Sequence, residues 1–199
     1  MSELSTPTCS VAGLGVRKLT LEDAPLVHAF FEANPDYFML VEGGPADLEQ
    51  AQEELLGELP PGWNYSENWM LGYQPADAPL VAVLQFVTDL VAPKLWHIGR
   101  LLVATDLHDS GIAQALYHDF ETWARSQGAD WLRVCEVHNN PRDGHFWREQ
   151  GFKHVRTNEG VQVGWLIHTA DILFKPLNGG TLEQYLALIE QNHPQQSDF

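Results

Sequence analysis

An apolar run that ends in a small-residue loop and passes at once into a helix, Leu101–Leu116 (LLVATDLHDSGIAQAL), constrains this chain more than any other stretch. Gly111 and Ala113 let main-chain amides come close to a ligand, and a helix starting there opens with N–H groups that lack partners in its own first turn. The aligned peptide dipoles add partial positive charge at the same point. Strand, loop and helix together therefore suit a phosphate or diphosphate, and point to a nucleotide-bearing cofactor. A glycine near a helix start also serves plain turn chemistry, so the surroundings decide between the two.

Hydrophobic periodicity organises the rest. Residues 16–20 alternate as a short strand. Residues 21–33 read as a helix, with Thr20 as N-cap, Asp23 three residues on in a variant capping box, and Pro35 closing it. Residues 37–44 read as a connector or a further half-turn, and 46–59 as a second helix stopped by Pro60-Pro61-Gly62. Strands follow over 68–74, 79–90 and 94–104. The helix 111–128 puts Ile112, Leu116, Phe120 and Trp123 on one face and ends at Gly128. A buried strand (130–138), a short helix (143–150), an antiparallel pair (152–158 and 165–177) and a C-terminal helix (181–191) complete the chain. Helices on a mixed sheet give an α/β (α+β) layer fold, expected as one domain over 16–177 with a loose tail over 1–15 and a helix and polar tail over 178–199. In open sheets a ligand sits in a crevice at strand ends.

At 199 residues a chain buries about 70% of its unfolded surface, so no disulfide or metal staple is required. Cys9 and Cys135 fit no metal or disulfide framework, which with the lack of a signal-peptide pattern in MSELSTPTCSVAGLG gives a cytoplasmic expectation. No apolar run approaches the ~20 residues of a membrane span. A net charge of −16 opposes nucleic acid and anionic membranes as partners. No Lys or Arg occurs between Lys18 and Lys94, a window that includes Glu22, Glu42, Asp47, Glu49, Glu53, Glu54 and Glu58. This is either a face that draws in a cationic substrate such as an amine or a solvated surface that keeps the chain soluble.

The element order and its motifs resemble the GNAT superfamily of acetyl-CoA-dependent N-acetyltransferases, from about Val16 to Leu177. That family's acetyl-CoA loop, Gln/Arg-x-x-Gly-x-Gly/Ala, reads here as His108-Asp109-Ser110-Gly111-Ile112-Ala113. Leu101-Leu102-Val103 matches the strand whose backbone receives the pantetheine arm. Asn140 and Phe146-Trp147-Arg148-Glu149-Gln150-Gly151-Phe152 match the family's Asn followed by an aromatic and Gly-Phe, and Asp171–Leu177 looks like its last strand. The resemblance implies a mostly antiparallel mixed sheet whose two central parallel strands, 94–104 and 130–138, splay to admit pantetheine like an added strand. It also implies acetyl-CoA as donor, with the Val103 N–H polarising the thioester carbonyl.

Three residues depart from the family pattern. His108 replaces Gln or Arg, so a charged phosphate contact needs a protonated imidazole. A carboxylate at Asp109, about 4 Å from a phosphate, costs up to ~4 kcal/mol at an effective dielectric of 20, so Asp109 is expected to face solvent. Trp147 stands where many members carry a tyrosine credited with protonating the departing thiolate; indole cannot supply that proton. Transfer then leans on positioning, because a thiolate is a tolerable leaving group.

For proton removal His97, on the strand leading to the loop, is the first candidate and Glu136, on the neighbouring strand, the second. Tyr37, Phe38, Glu42, Trp63 and Trp69 are candidates for an acceptor pocket, since aromatics with carboxylates suit an ammonium group. No histidine pair shows zinc spacing, so no metal is expected. Leu182, Tyr185, Leu186 and Ile189 form an apolar stripe that suggests a homodimer contact. The resemblance thus implies an N-acetyltransferase, expected to act on a small cationic amine or a basic peptide by direct transfer. An acyl-CoA-binding or regulatory module of the same fold is the alternative. A flavodoxin-like sheet is disfavoured by the antiparallel-looking stretch 68–104.

Overall fold

The computed structural model of the chain describes residues 4–57 and 63–192. The expected stop at Pro60-Pro61-Gly62 and the polar tail after residue 192 lie outside the described residues. Among the described residues seven strands form one sheet in the order β1-β2-β3-β4-β5-β7-β6. They are β1 Gly15–Lys18, β2 Asn68–Gln74, β3 Ala82–Val87, β4 Leu95–Val103, β5 Trp131–Val137, β6 Lys153–Val163 and β7 Leu166–Pro176. All neighbours pair antiparallel except β4 and β5, which are parallel.

Helices α1 Ala24–Glu32, α2 Pro35–Val41 and α3 Leu48–Leu56 precede β2; α4 Ile112–Ser126 links β4 to β5; α5 Pro141–Glu149 follows β5; α6 Leu182–Asn192 closes the chain. Pro35 opens α2 rather than merely closing α1: proline lacks an N–H that the first turn leaves unpaired anyway, and its fixed φ suits N1. The expected connector 37–44 is therefore mostly helix. The capping box at Thr20 and Asp23 forms, but around a 3₁₀ turn, Leu21–Asp23, that leads into α1. β6 runs well past the expected 158, carried by register shifts before Arg156 and Val161.

The sheet is covered on both faces. On one, Leu116, Phe120 and Trp123 of α4 pack against Trp69, Phe86 and Trp96 of β2, β3 and β4. On the other, Val27, Phe30, Phe31 and Phe38 of α1 and α2 pack against Met70, Val83 and Leu102. Burying side chains of this size contributes about 1.5–3 kcal/mol each. The stripe on α6 is divided between the chain's own core and the surface. Tyr185 is buried and stacks on Phe174 at 4.9 Å, with Trp131 at 5.9 Å, and Leu188 and Ile189 join that cluster, while Leu182 and Leu186 stay exposed. No helix among the described residues is long and apolar enough to cross a membrane.

Candidate active site

The site begins where two strands part. Pairing between β4 and β5 ends at Ile98 with Val134, yet both strands continue, to Val103 and Val137. A bulge lies at the same point: Phe86 pairs with Ile98 and Gln85 with Arg100, so Gly99 is left over. The Gln85 side-chain oxygen lies over Gly99, in the space a β-carbon there would take. The extra residue reverses the alternation. Trp96 and Ile98 face α4, and beyond the bulge Leu101 and Val103 do, so Arg100 is turned to the α1–α2 face.

Main-chain groups follow the same logic. Ala104 N–H donates to Val81 O at 2.8 Å, so alternate residues of β4 bond to β3, and Leu101 and Val103 aim their N–H and C=O groups into the gap left by β5. Past the strand, a 3₁₀ turn (Thr105–Leu107) leads into the loop, where Asp109 and Gly111 have φ of +61° and +86°. These left-handed residues turn successive amides outward. Ser110 N–H donates to Leu107 O and Ile112 N–H to Ser110 Oγ. Among the described residues, the N–H groups of Asp109, Gly111, Ala113 and Gln114 find no acceptor in the chain. They open onto a cavity of about 460 Å³ between the ends of β4, α4, α2 and α5.

A residue that sequence reasoning missed also lines this cavity. Arg142, the second residue of α5, donates to both carboxylate oxygens of Asp109, at 2.8 and 2.7 Å, and to His108 Nδ1. His108 Nε2 donates to Val103 O at 3.0 Å, so its imidazole spans strand and guanidinium. The Asp109 side chain is 85% exposed, turned away from the loop amides. A guanidinium therefore stands beside the 108–113 loop, supplied by α5 instead of the loop's own first residue. Only the fold brings positions 108 and 142 together.

Helix α5 presents Asn140 as its N-cap, then Asp143 and Trp147 one turn apart, to the same cavity. Asn140 Nδ2 donates to Asp143 Oδ2 at 2.8 Å. Burial, helped by the nearby Glu136 charge, pushes the Asp143 carboxyl up to about 6, against the pull of Arg100 and Arg142. Trp147 packs edge-on to Tyr117 and Phe152 at 5.7 and 5.3 Å. Across the cavity stands Tyr37 of α2, its phenol raised by burial.

On the far side of Arg100 lies a second cavity of about 880 Å³, lined by Glu42, Asp47, Glu49, Glu53, Glu54 and Trp165, the last at the β6–β7 turn. Arg100 is buried and bridges Glu42 and Glu54 at 2.7 and 3.0 Å, with its guanidinium 5.0–5.5 Å from the ring centroids of Phe31, Tyr37 and Phe38. Burial opposes its charge, but Glu54, Tyr37 and Glu42 outweigh it. Glu42 also accepts from Gln50, and burial leaves its carboxyl above the usual range. Trp165 is 87% exposed, an aromatic face beside a ring of carboxylates.

Several sequence candidates sit elsewhere. His97 lines neither cavity. Its Nδ1 lies 3.1 Å from Arg133 O and 3.2 Å from Arg133 Nη1, and burial together with the Arg133 charge drives its pKa down to about 3. Glu136 is buried under α5, ion-paired to Arg148 at 2.6 Å, and Arg148 also holds Asp171 at 2.8 Å. Gly144 lets the helix lie directly on Glu136, since a β-carbon there would meet Glu136 Oε2 and Arg148 Nη1. Both candidates are thus removed from the cavity by guanidinium partners. Trp69 is core, stacked on Phe86 at 6.0 Å, and Phe38 is fully buried against Phe31 at 4.6 Å. Trp63 lies 5.4 Å from the Arg133 guanidinium. Leu101, Leu102, Val103, His108, Asp109, Gly111, Ala113, Asn140, Trp147 and Tyr37 all line the first cavity, and Glu42 the second.

A family model described as "Acetyltransferase (GNAT) family" matches residues 28–152. No curated protein matches the chain. Among solved structures, an acetyltransferase from Thermus thermophilus is similar at 23% identity and a TM-score of 0.66, covering 83% of this chain and 98% of its own. Spermidine N-acetyltransferase from Vibrio cholerae, solved with CoA and spermine, is similar at 12% identity and 0.65, covering 84% and 97%. An acetyltransferase from Salmonella typhimurium that modifies the N-terminal serine of ribosomal protein L7/L12 gives 14% and 0.67, covering 83% and 96%. At these identities the likeness speaks for the fold. The family match spans more than half of the chain, and the chain belongs to the GNAT family of acetyltransferases.

Proposed function

We propose that this chain transfers an acetyl group from acetyl-CoA to a primary amine by direct attack in a ternary complex. The observation that carries this reading is the set of unpartnered amides at Asp109, Gly111, Ala113 and Gln114, opening beside Arg142 onto the first cavity. Amides at a helix start and a guanidinium suit the CoA diphosphate, and the main-chain groups of Leu101 with the Val103 N–H suit the polar groups of pantetheine and its thioester, the Val103 carbonyl being taken by His108. The Val103 N–H then faces the thioester carbonyl as it gains negative charge. Neither cysteine lies in either cavity, which favours direct transfer over an acylated thiol.

The acceptor is proposed to enter past Tyr37 from the acidic side, with further positive charge held near Glu42, Glu53, Glu54 and the Trp165 face. A polyamine or a basic peptide end has that chemistry. Residues 16–177 form the acetyltransferase domain in this reading, and the cytoplasm is its proposed compartment. The test supplies acetyl-CoA with spermidine or an alanine-terminated peptide, following free thiol and the acetylated amine by mass spectrometry. Amine-dependent thiol release supports transfer. CoA binding without release over any amine favours a binding or regulatory module.

A further inference from the structure

We propose that Asp143 carries the proton through the transfer, taking it from the attacking nitrogen and returning it to the departing sulfur. The inference rests on the acetyl-transfer reading above and adds a residue to it. Two needs follow from that chemistry: a base beside the amine and an acid beside the thiolate. His97 and Glu136 meet neither, being held outside the cavity by Arg133 and Arg148. Trp147 lines the cavity but has no proton to give.

Asp143 lies in that cavity, one helical turn before Trp147 and three residues after Asn140, so the three share the face of α5 turned to the cavity. Asn140 fixes one carboxylate oxygen at 2.8 Å and leaves the other for exchange. The charged and titratable groups that act on it are Glu136 from β5, Arg100 from β4 and Arg142 from its own helix, with Tyr37 of α2 close enough to feel its charge. A carboxyl raised to about 6 is mostly ionised at neutral pH, yet binds a proton well enough to hold it between two steps.

The balance closes on one proton. The neutral amine nitrogen bonds to the thioester carbon, and the resulting ammonium centre gives a proton to the Asp143 carboxylate. The C–S bond then breaks with its electron pair on sulfur, and the Asp143 carboxyl protonates the thiolate. Products are the N-acetyl amine and CoA thiol, with Asp143 ionised again.

The test compares the wild-type chain with Asp143→Asn and Asp143→Glu, using spermidine as acceptor and calorimetry with CoA as a readout independent of turnover. Asp143→Asn is expected to bind CoA as wild type does and to lose about 100-fold or more in kcat. The log kcat/KM of wild type is expected to steepen below about pH 6. Asparagine removes that steepening, and glutamate restores part of the rate. A purely structural role would leave the profile's shape untouched. Unchanged kcat, or a steepening that survives in Asp143→Asn, overturns the assignment. A wild-type chain that binds CoA but acetylates neither spermidine nor an alanine-terminated peptide overturns the transfer reading, and this assignment with it.

Discussion

Asp143→Asn should also make the fold more stable at neutral and alkaline pH. The carboxyl titrates at about 6 in the folded chain against an ordinary value of 3.8, so the folded state holds this proton more tightly than the unfolded state. Its favourable contribution is complete below pH 3.8 and is lost as the pH rises through about 6. At pH 8 the ionised group costs the fold about 3 kcal/mol relative to a neutral one, from roughly two pKa units at 1.36 kcal/mol each. Asparagine has the same shape and offers an oxygen to Asn140 Nδ2, so that contact survives. The variant is therefore predicted to gain up to about 3 kcal/mol at pH 8, or about 6–12 °C in Tm for a chain of this size, and about half as much free energy at pH 5. Urea unfolding of both proteins at the two pH values measures this. A variant less stable than wild type at pH 8, or a gain that does not shrink at pH 5, would refute a strained carboxyl in the cavity wall.

Arg142→Ala should weaken CoA binding by about 10–100-fold, the worth of a charged hydrogen bond, while Asp109→Asn should strengthen it by releasing the guanidinium; calorimetry reads both. His97→Ala should leave the turnover rate and its pH dependence unchanged, since His97 is outside the cavity and neutral throughout the working range; a lost acidic limb would restore it as the base. Gly144→Ala should destabilise the fold by about 1–3 kcal/mol, because its methyl meets the Glu136–Arg148 pair; an unchanged Tm would show that α5 does not rest there.

The stretch from 94 to 152 was the most legible in the sequence. There, local signals and tertiary structure agree: Gly111 starts α4, Gly128 follows its end, and the apolar face of α4 is the face that meets the sheet. What stayed hidden depends on long-range contacts. Arg142 reads as one more charge at a helix start until the fold sets it on Asp109. Asp143 reads as a favourable first-turn acid, and only the approach of β5 and α2 buries it. His97 and Glu136 are chemically apt, but arginines distant in sequence claim them. Two local signals also mark features of the fold. Gly99 inside an apolar strand marks a bulge, and Asn34-Pro35 marks a helix start as readily as a stop.

In the proposed function the amides around Gly111, with Arg142, hold the diphosphate of CoA. Calorimetric titration of the wild-type chain with CoA and with pantetheine, which lacks every phosphate, tests it most directly. One CoA is expected to bind per chain, and pantetheine to bind about 100-fold more weakly or worse, as two or more charge-assisted hydrogen bonds require. No heat with CoA, or pantetheine bound as tightly as CoA, would contradict it.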